Sequence, residues 1–290
     1  MRASIDLVRI AIATMAAVTC VVQADRLLRA QSPPVPPIVE RMHSYLDLYE
    51  TQLSALVADE EFVQRMPDVS AVYGEATFFT RRLVSDVGFL RLPGGLAWLG
   101  QRSVRTVNGE AVGGGVPRLE DLLMSAGPGV FARAKAIAEA NAKYNLGYPR
   151  SMNVPTLPLE LLGRSHQRAF RARVEGRGTH DGRAIVHVRF SESPPGAIIA
   201  FDETRFVRAD VVARVAADDG AVLWAEVSLD PPGYGGHRVR VEFAPERALG
   251  HLVPVRLSES YSGRSRGEGT ASYSNYRKFQ TTGRILPPGH

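Results

Sequence analysis

Apolar residues follow two different periods along this chain. Between Ile38 and Met66 they recur every three or four positions, at Val39, Met42, Tyr45, Leu46, Tyr49, Leu53, Leu56, Val57 and Phe62. That spacing lines one face of an α-helix and predicts a single long helix over 38–66, ended by Pro67. From Arg168 onward the period is two. Phe170, Ala172 and Val174 alternate with Arg171, Arg173 and Glu175; Ala184, Val186, Val188 and Phe190 alternate with Ile185, His187 and Arg189; Val239, Val241 and Phe243 alternate with Arg238, Arg240 and Glu242. Alternation of this kind belongs to strands with one face wet and one face dry. Asp218-Asp219-Gly220 separates two apolar runs as a hairpin turn would, and Leu252–Leu257 and Ala271–Phe279 supply the last strands.

The middle of the chain carries both patterns. Strands are predicted over 72–112, centred on Arg81–Val112, where apolar runs flank Pro93-Gly94-Gly95 and Asn108-Gly109 marks a further tight turn. Helices are predicted over 117–147, broken at Gly127-Pro128-Gly129 and capped at Gly147, with a short helical turn between Pro155 and Gly163. Strands then succeed one another over 168–280 without intervening helices. The predicted class is therefore α+β, an antiparallel sheet in one domain spanning 38–280.

The N-terminus follows neither pattern. Arg2 and Arg9 precede an apolar run, Ile10–Val22, that is short for a bilayer span. Val22-Gln23-Ala24 puts small residues where a signal peptidase acts, so residues 1–24 are predicted to be a signal peptide and the mature protein periplasmic or secreted. Ala30 offers a second cleavage point, and a retained anchor is the rival reading. Residues 25–37 form a Pro-rich linker, and 281–290 a tail. The only cysteine, Cys20, lies in the leader, so the mature chain has neither disulfides nor a cysteine nucleophile. Ala17-Val18-Thr19-Cys20 is an imperfect lipobox, and its use would anchor the protein by lipid.

Charge adds little. The net charge is +5, and the bases are almost all arginine, with Lys135, Lys143 and Lys278 the lysines. A basic surface suits acidic lipid headgroups or nucleic acid; export argues against the second, and the composition also fits a GC-rich genome.

No catalytic motif meets its context. Gly263-Arg264-Ser265-Arg266-Gly267 matches the nucleophile-elbow spacing, but that elbow needs a helix to follow, and here a strand follows. Gly127-Pro128-Gly129-Val130-Phe131-Ala132 matches a dinucleotide fingerprint but follows a helical run rather than a strand. The histidines are scattered, with no metal-binding pair, and no metal or cofactor is expected. Glu192, Asp202 and Glu203 are the acids near one another in sequence that could do acid–base work.

Phe89-Leu90-Arg91-Leu92-Pro93-Gly94-Gly95-Leu96-Ala97-Trp98 resembles the early hairpin of the periplasmic lipoprotein-carrier (LolA/LolB-like) family, in which an aromatic and basic residues precede Pro-Gly and a Trp closes the motif. Leu92 stands where the family carries arginine, with Arg91 one position earlier on the other strand face. The resemblance implies a curved antiparallel sheet, an incomplete barrel, covered by the long N-terminal helix and a helical insertion, with an apolar interior for acyl chains. It makes Phe78, Phe79, Leu90, Arg91, Trp98 and Trp224 the candidate ligand-binding residues. The function it implies is a non-enzymatic binding protein for lipid or another acyl-chain ligand, touching membrane transiently. Two other readings fit the same residues: an envelope structural protein whose Arg-rich sheet face meets a partner, and an exported hydrolase using the acids named above.

Overall fold

The structure, a computed structural model, describes residues 35–54, 56–68, 77–90, 99–113, 119, 130–147, 153–193, 199–200, 206–230, 235–263 and 266–278. The predicted signal peptide, nearly all of the linker, the Pro93–Gly95 turn and the tail lie outside them. The chain divides into Met1–Val35 and Pro36–His290, and every described residue except Val35 belongs to the second unit.

Helix α1 runs from Pro37 to Leu53, opens on proline, and buries Ile38, Val39, Met42, His43, Leu46, Tyr49 and Leu53. It does not continue to Met66 as the apolar spacing predicts. Leu56–Pro67 is instead strand β1. Ala58, Glu60, Phe62 and Gln64 face the core, while Asp59, Glu61, Val63 and Arg65 are more exposed. The true period there is two. Two of the four inward positions are polar, so apolarity alone hides it.

The remaining strands are β2 (Phe78–Leu90), β3 (Leu99–Val107), β4 (Glu110–Ala111), β5 (Phe170–His180), β6 (Arg183–Glu192), β7 (Ile199–Ala200), β8 (Phe206–Val207), β9 (Ala209–Ala216), β10 (Val222–Leu229), β11 (His237–Glu246), β12 (His251–Tyr261) and β13 (Gly267–Lys278). Eleven of the strands form one sheet in the order β4-β3-β2-β1-β13-β12-β11-β10-β9-β6-β5, and β7-β8 is a separate ribbon. Neighbouring strands of the large sheet are antiparallel. Most neighbours are consecutive in sequence. The exceptions are β6 with β9, and β1 with β13, which brings the two ends of the domain together in mid-sheet. The edges, β4 and β5, do not meet, so the sheet is open and the α+β class stands. Bulges such as those at Val57/Asp59 and Val84/Ser85 bend the strands.

Alternate residues from most of the long strands, among them Phe62, Leu83, Val188, Val211, Val227, Val241 and Leu257, make the core together with α1; edge strand β5 buries only Phe170, and Val174 of its predicted dry face is 39 % exposed. Tyr49 meets Phe243 edge-on at 6.5 Å and stacks with Tyr45 at 5.3 Å. Helix α2 (Val130–Ala142) ends before the predicted cap; Gly147 comes five residues later, after a run of turns. Asn141 near its end accepts the Val104 N–H at 2.8 Å and donates to the Ile137 carbonyl at 2.7 Å, tying the helix to β3. Helix α3 (Leu157–Leu162) fills the expected short turn and buries Pro158, Leu159, Leu161 and Leu162. Among the described residues no helix is long and apolar enough to cross a membrane.

Candidate functional site

Antiparallel pairing lines up the end of β1, the start of β2, the start of β13, the end of β12, the start of β11 and the end of β10. A cleft of about 760 Å³ opens there. The register supplies its two kinds of wall. One transverse row is Arg65–Glu268–Ser260–Arg238–Ser228, paired strand to strand. The next row, one residue along and so on the other face, is Gly267–Tyr261–His237–Leu229. All nine residues line the cleft, joined by Pro67, Phe78, Gly236, Ser262 and Arg266.

The aromatic row is closely packed. A β-carbon on Gly267 would stand 2.4 Å from the Tyr261 hydroxyl oxygen, so only glycine lets that ring lie flat on the strand. Tyr261 donates its hydroxyl proton to the Leu146 carbonyl at 3.2 Å. The buried His237 ring meets Tyr261 edge-on at 6.3 Å, with Nε2 3.7 Å from a buried Glu259 carboxylate oxygen. On the charged row, Arg238 reaches Glu226 at 3.2 Å. Arg65 places its guanidinium 4.7 Å from the centre of the Phe78 ring.

Behind the cleft lies a buried polar network for which the sequence gives little warning. Arg102 grips both carboxylate oxygens of Glu60, at 2.5 and 2.7 Å. It also donates to the Asn153 side-chain and backbone oxygens at 3.0 and 2.8 Å, and lies 4.8 Å from the centre of the Phe62 ring. Tyr273 donates to Glu60 at 3.0 Å. Gln64 and Asn153 both donate to the Asn145 side chain, at 2.6 and 2.9 Å. Burial disfavours the charged guanidinium of Arg102, but the Glu60 carboxylate beside it outweighs this and raises its pKa. Burial first, then the same carboxylate, drives Tyr273 well above the ordinary tyrosine range. Glu60 is saturated with donors, so this is a structural clasp rather than acid–base machinery. The available signal was Glu60 sitting two residues from Phe62 and four from Gln64, all on one strand face.

Three of the sequence-predicted site residues, Phe78, Phe79 and Trp224, have described side chains. Phe78 lines the cleft and is 45 % exposed; Phe79 is 51 % exposed. Trp224 lies outside the cleft lining on the polar face of β10, between Arg214 at 4.7 Å and Arg240 at 5.3 Å. It shares that face with Glu226 and Ser228, while Ala225 and Val227 turn inward, so it stands away from the core side. Arg91 and Trp98 lie outside the described residues, as does the side chain of Leu90. Met42, Leu46, Tyr49 and Leu53 of α1 are buried in the same core as the inward side chains of the sheet.

Of the candidate acids, Glu192 accepts the Ala209 N–H at 2.8 Å, while Asp202 and Glu203 lie outside the described residues, as does Ser265. Among the described residues no three His, Cys, Asp or Glu side chains converge as metal ligands would. Many of the exposed arginines serve cross-strand pairs: Arg240–Glu226 at 2.7 Å, Arg189–Glu175 at 2.6 Å and Arg277–Asp86 at 2.6 Å.

No protein-family model matches the chain, and no curated protein matches its sequence. Solved structures are similar to it in fold. A LolA superfamily protein from Nitrosomonas europaea superposes with a TM-score of 0.36 at 9 % identity, covering 86 % of this chain and 97 % of the other. A DUF1329 family protein from Desulfovibrio piger gives 0.39 at 11 %, covering 87 % and 96 %. LprF from Mycobacterium bovis gives 0.27 at 15 %, covering 89 % and 99 %. At these values the likeness is one of general fold and assigns no ligand, partner or residue role.

Proposed function

We propose that this chain is a non-enzymatic binding protein of the cell envelope that holds an acyl-chain amphiphile in the cleft at the end of its sheet. One observation carries the reading: the cleft of about 760 Å³ is of small-molecule size and has a wall formed by Pro67, Phe78, Leu229 and Tyr261. Phe78 stands 45 % exposed at the start of β2 and lines this cleft, where its ring offers an apolar surface to a ligand. The envelope location rests on the predicted leader.

Native mass spectrometry of protein purified from its own envelope should find a co-purifying amphiphile. Titration with a homologous series of single-chain amphiphiles should then give affinities that rise with chain length by roughly 0.8 kcal/mol per buried methylene. Phe78→Asp should weaken the whole series without unfolding the protein, since the ring is 45 % exposed. Absence of chain-length dependence, together with an unchanged F78D variant, would sink the proposal.

A further inference from the structure

Two arginines of the cleft have no anionic partner among the described residues. Among the described residues neither Arg65 nor Arg266 forms an ion pair or side-chain hydrogen bond, although both line the cleft. The case of Arg65 is instructive. Glu268 sits directly opposite it across the β1–β13 pair, where an ion pair would be easy to make. Its guanidinium lies over the Phe78 ring instead, 4.7 Å from the centroid. Stacking on an aromatic face leaves the edge of the guanidinium, with its N–H donors, free to point at something else. The third arginine of the lining, Arg238, is shared with Glu226. The lining therefore carries Arg65, Arg238 and Arg266 against one carboxylate, Glu268. A concave, partly apolar wall concentrates the field of such an excess.

Resting on the acyl-chain reading above, we infer that the head of the ligand is anionic, a carboxylate or phosphate, and that Arg65 and Arg266 hold it at the mouth while the tail lies along the exposed Phe78 ring. The guanidinium is the side chain whose planar fork matches both of those head groups, and it keeps its charge at any physiological pH. Phe78 then serves both ends of the ligand: its face fixes Arg65, and its exposed edge meets the chain.

The test titrates the full mature protein with four amphiphiles of one chain length, each below its micelle concentration: myristate, tetradecyl phosphate, tetradecanol and tetradecyltrimethylammonium. Isothermal titration calorimetry should show myristate or tetradecyl phosphate binding at least about tenfold tighter than tetradecanol, as expected for a charge-assisted hydrogen bond. Which of the two anions is preferred identifies the head group. The cationic homologue should bind worse than the alcohol. Raising salt should erode the anion preference and leave tetradecanol unchanged. Arg65→Gln and Arg266→Gln should each remove most of the anion preference and leave tetradecanol affinity intact; both side chains are exposed, so neither change threatens folding. Glu268→Gln should tighten the anions. Equal binding of alcohol and anions overturns the head-group inference while the acyl-chain reading stands. Failure of all four to bind removes the acyl-chain reading itself, and the inference with it.

Discussion

At the level of single residues, the buried charges Arg102 and Glu60 form a clasp. The side chains of Arg102 and Glu60 are 7 % and 0 % exposed, and each satisfies the other in bidentate geometry. Removing one member strands the other in a dry interior. Arg102→Leu should therefore cost about 3–5 kcal/mol in urea denaturation, while pairing it with Glu60→Gln should recover a large part of that loss. If R102L alone unfolds with wild-type stability, the clasp does not hold this region. Glu160 on α3 makes a second, pH-dependent case. Burial raises its carboxyl pKa from 4.5 to about 7. The folded protein thus keeps this proton to higher pH than the unfolded chain, so stability should fall as pH climbs from about 4.5 to about 7 and stay level with respect to this group above that. Glu160→Gln should stabilise the protein at pH 8, by up to about 2–3 kcal/mol, and have little effect at pH 4. A variant equally stabilising at both values would rule out burial of the charge as the cause. Neither residue's burial is legible in the apolar pattern alone. An acid inside an apolar period reads as an interruption, and only the register of β1 against β2 and β13 turns Glu60 inward beside Ser85 and Tyr273.

Among the elements, the hairpin turns are well marked in sequence because their chemistry is local. Asn108-Gly109 and the Asp218-Asp219-Gly220 turn occur where they are predicted. The end of α1 is not so marked. Leu53, Leu56 and Val57 keep the helical spacing, while the inward face of the strand that starts at Leu56 carries the polar Glu60 and Gln64, so nothing local ends the helix, and pairing of β1 on both sides does. The β9–β10 turn shows how tertiary contact adds to local preference. Gly220 has φ +81°, and a β-carbon there would sit 2.5 Å from the Arg41 backbone in α1. Arg41 in turn donates to the Ala217 carbonyl in the same turn. Gly182, in the β5–β6 turn, has φ +77° with nothing near the missing side chain. Gly182→Ala should therefore cost only the left-handed strain, on the order of 1 kcal/mol. Gly220→Ala should cost clearly more, because the turn must also back away from α1. Thermal melts of the two variants decide this, and equal losses would mean that the turn does not bear on the helix.

Over the whole molecule, what sequence leaves out is adjacency. Alternation tells which side of a strand is dry, but not which strand lies beside it, and the pair that matters most joins the first strand to the last. Leu56 pairs with Lys278, Phe62 with Ala271 and Glu60 with Tyr273. No local signal announces a contact between residues so far apart. Because β13 sits between β1 and β12, it is a central strand although it comes last in the chain. It also supplies the Tyr273 hydroxyl to the clasp and Gly267 and Glu268 to the cleft. Ending the chain after Ser262 should therefore not trim an edge; it should separate β4-β3-β2-β1 from the other six strands and expose the core sides of both. The expected result is loss of the cooperative urea transition and of any amphiphile binding, rather than a modest fall in stability. Supplying residues 266–278 as a separate peptide should restore both, since the missing strand brings its own pairing on two sides. In the intact protein, hydrogen exchange should find the amides of β1 and β13 among the slowest and those of β5, an edge strand with mostly exposed side chains, among the fastest. Refolding should be slow for the chain length, because the central pairing must close the longest loop in the domain before it gains any contact. A truncated chain that still unfolds cooperatively, or fast exchange along β1, would mean that the two halves of the sheet fold independently and that β13 only decorates them.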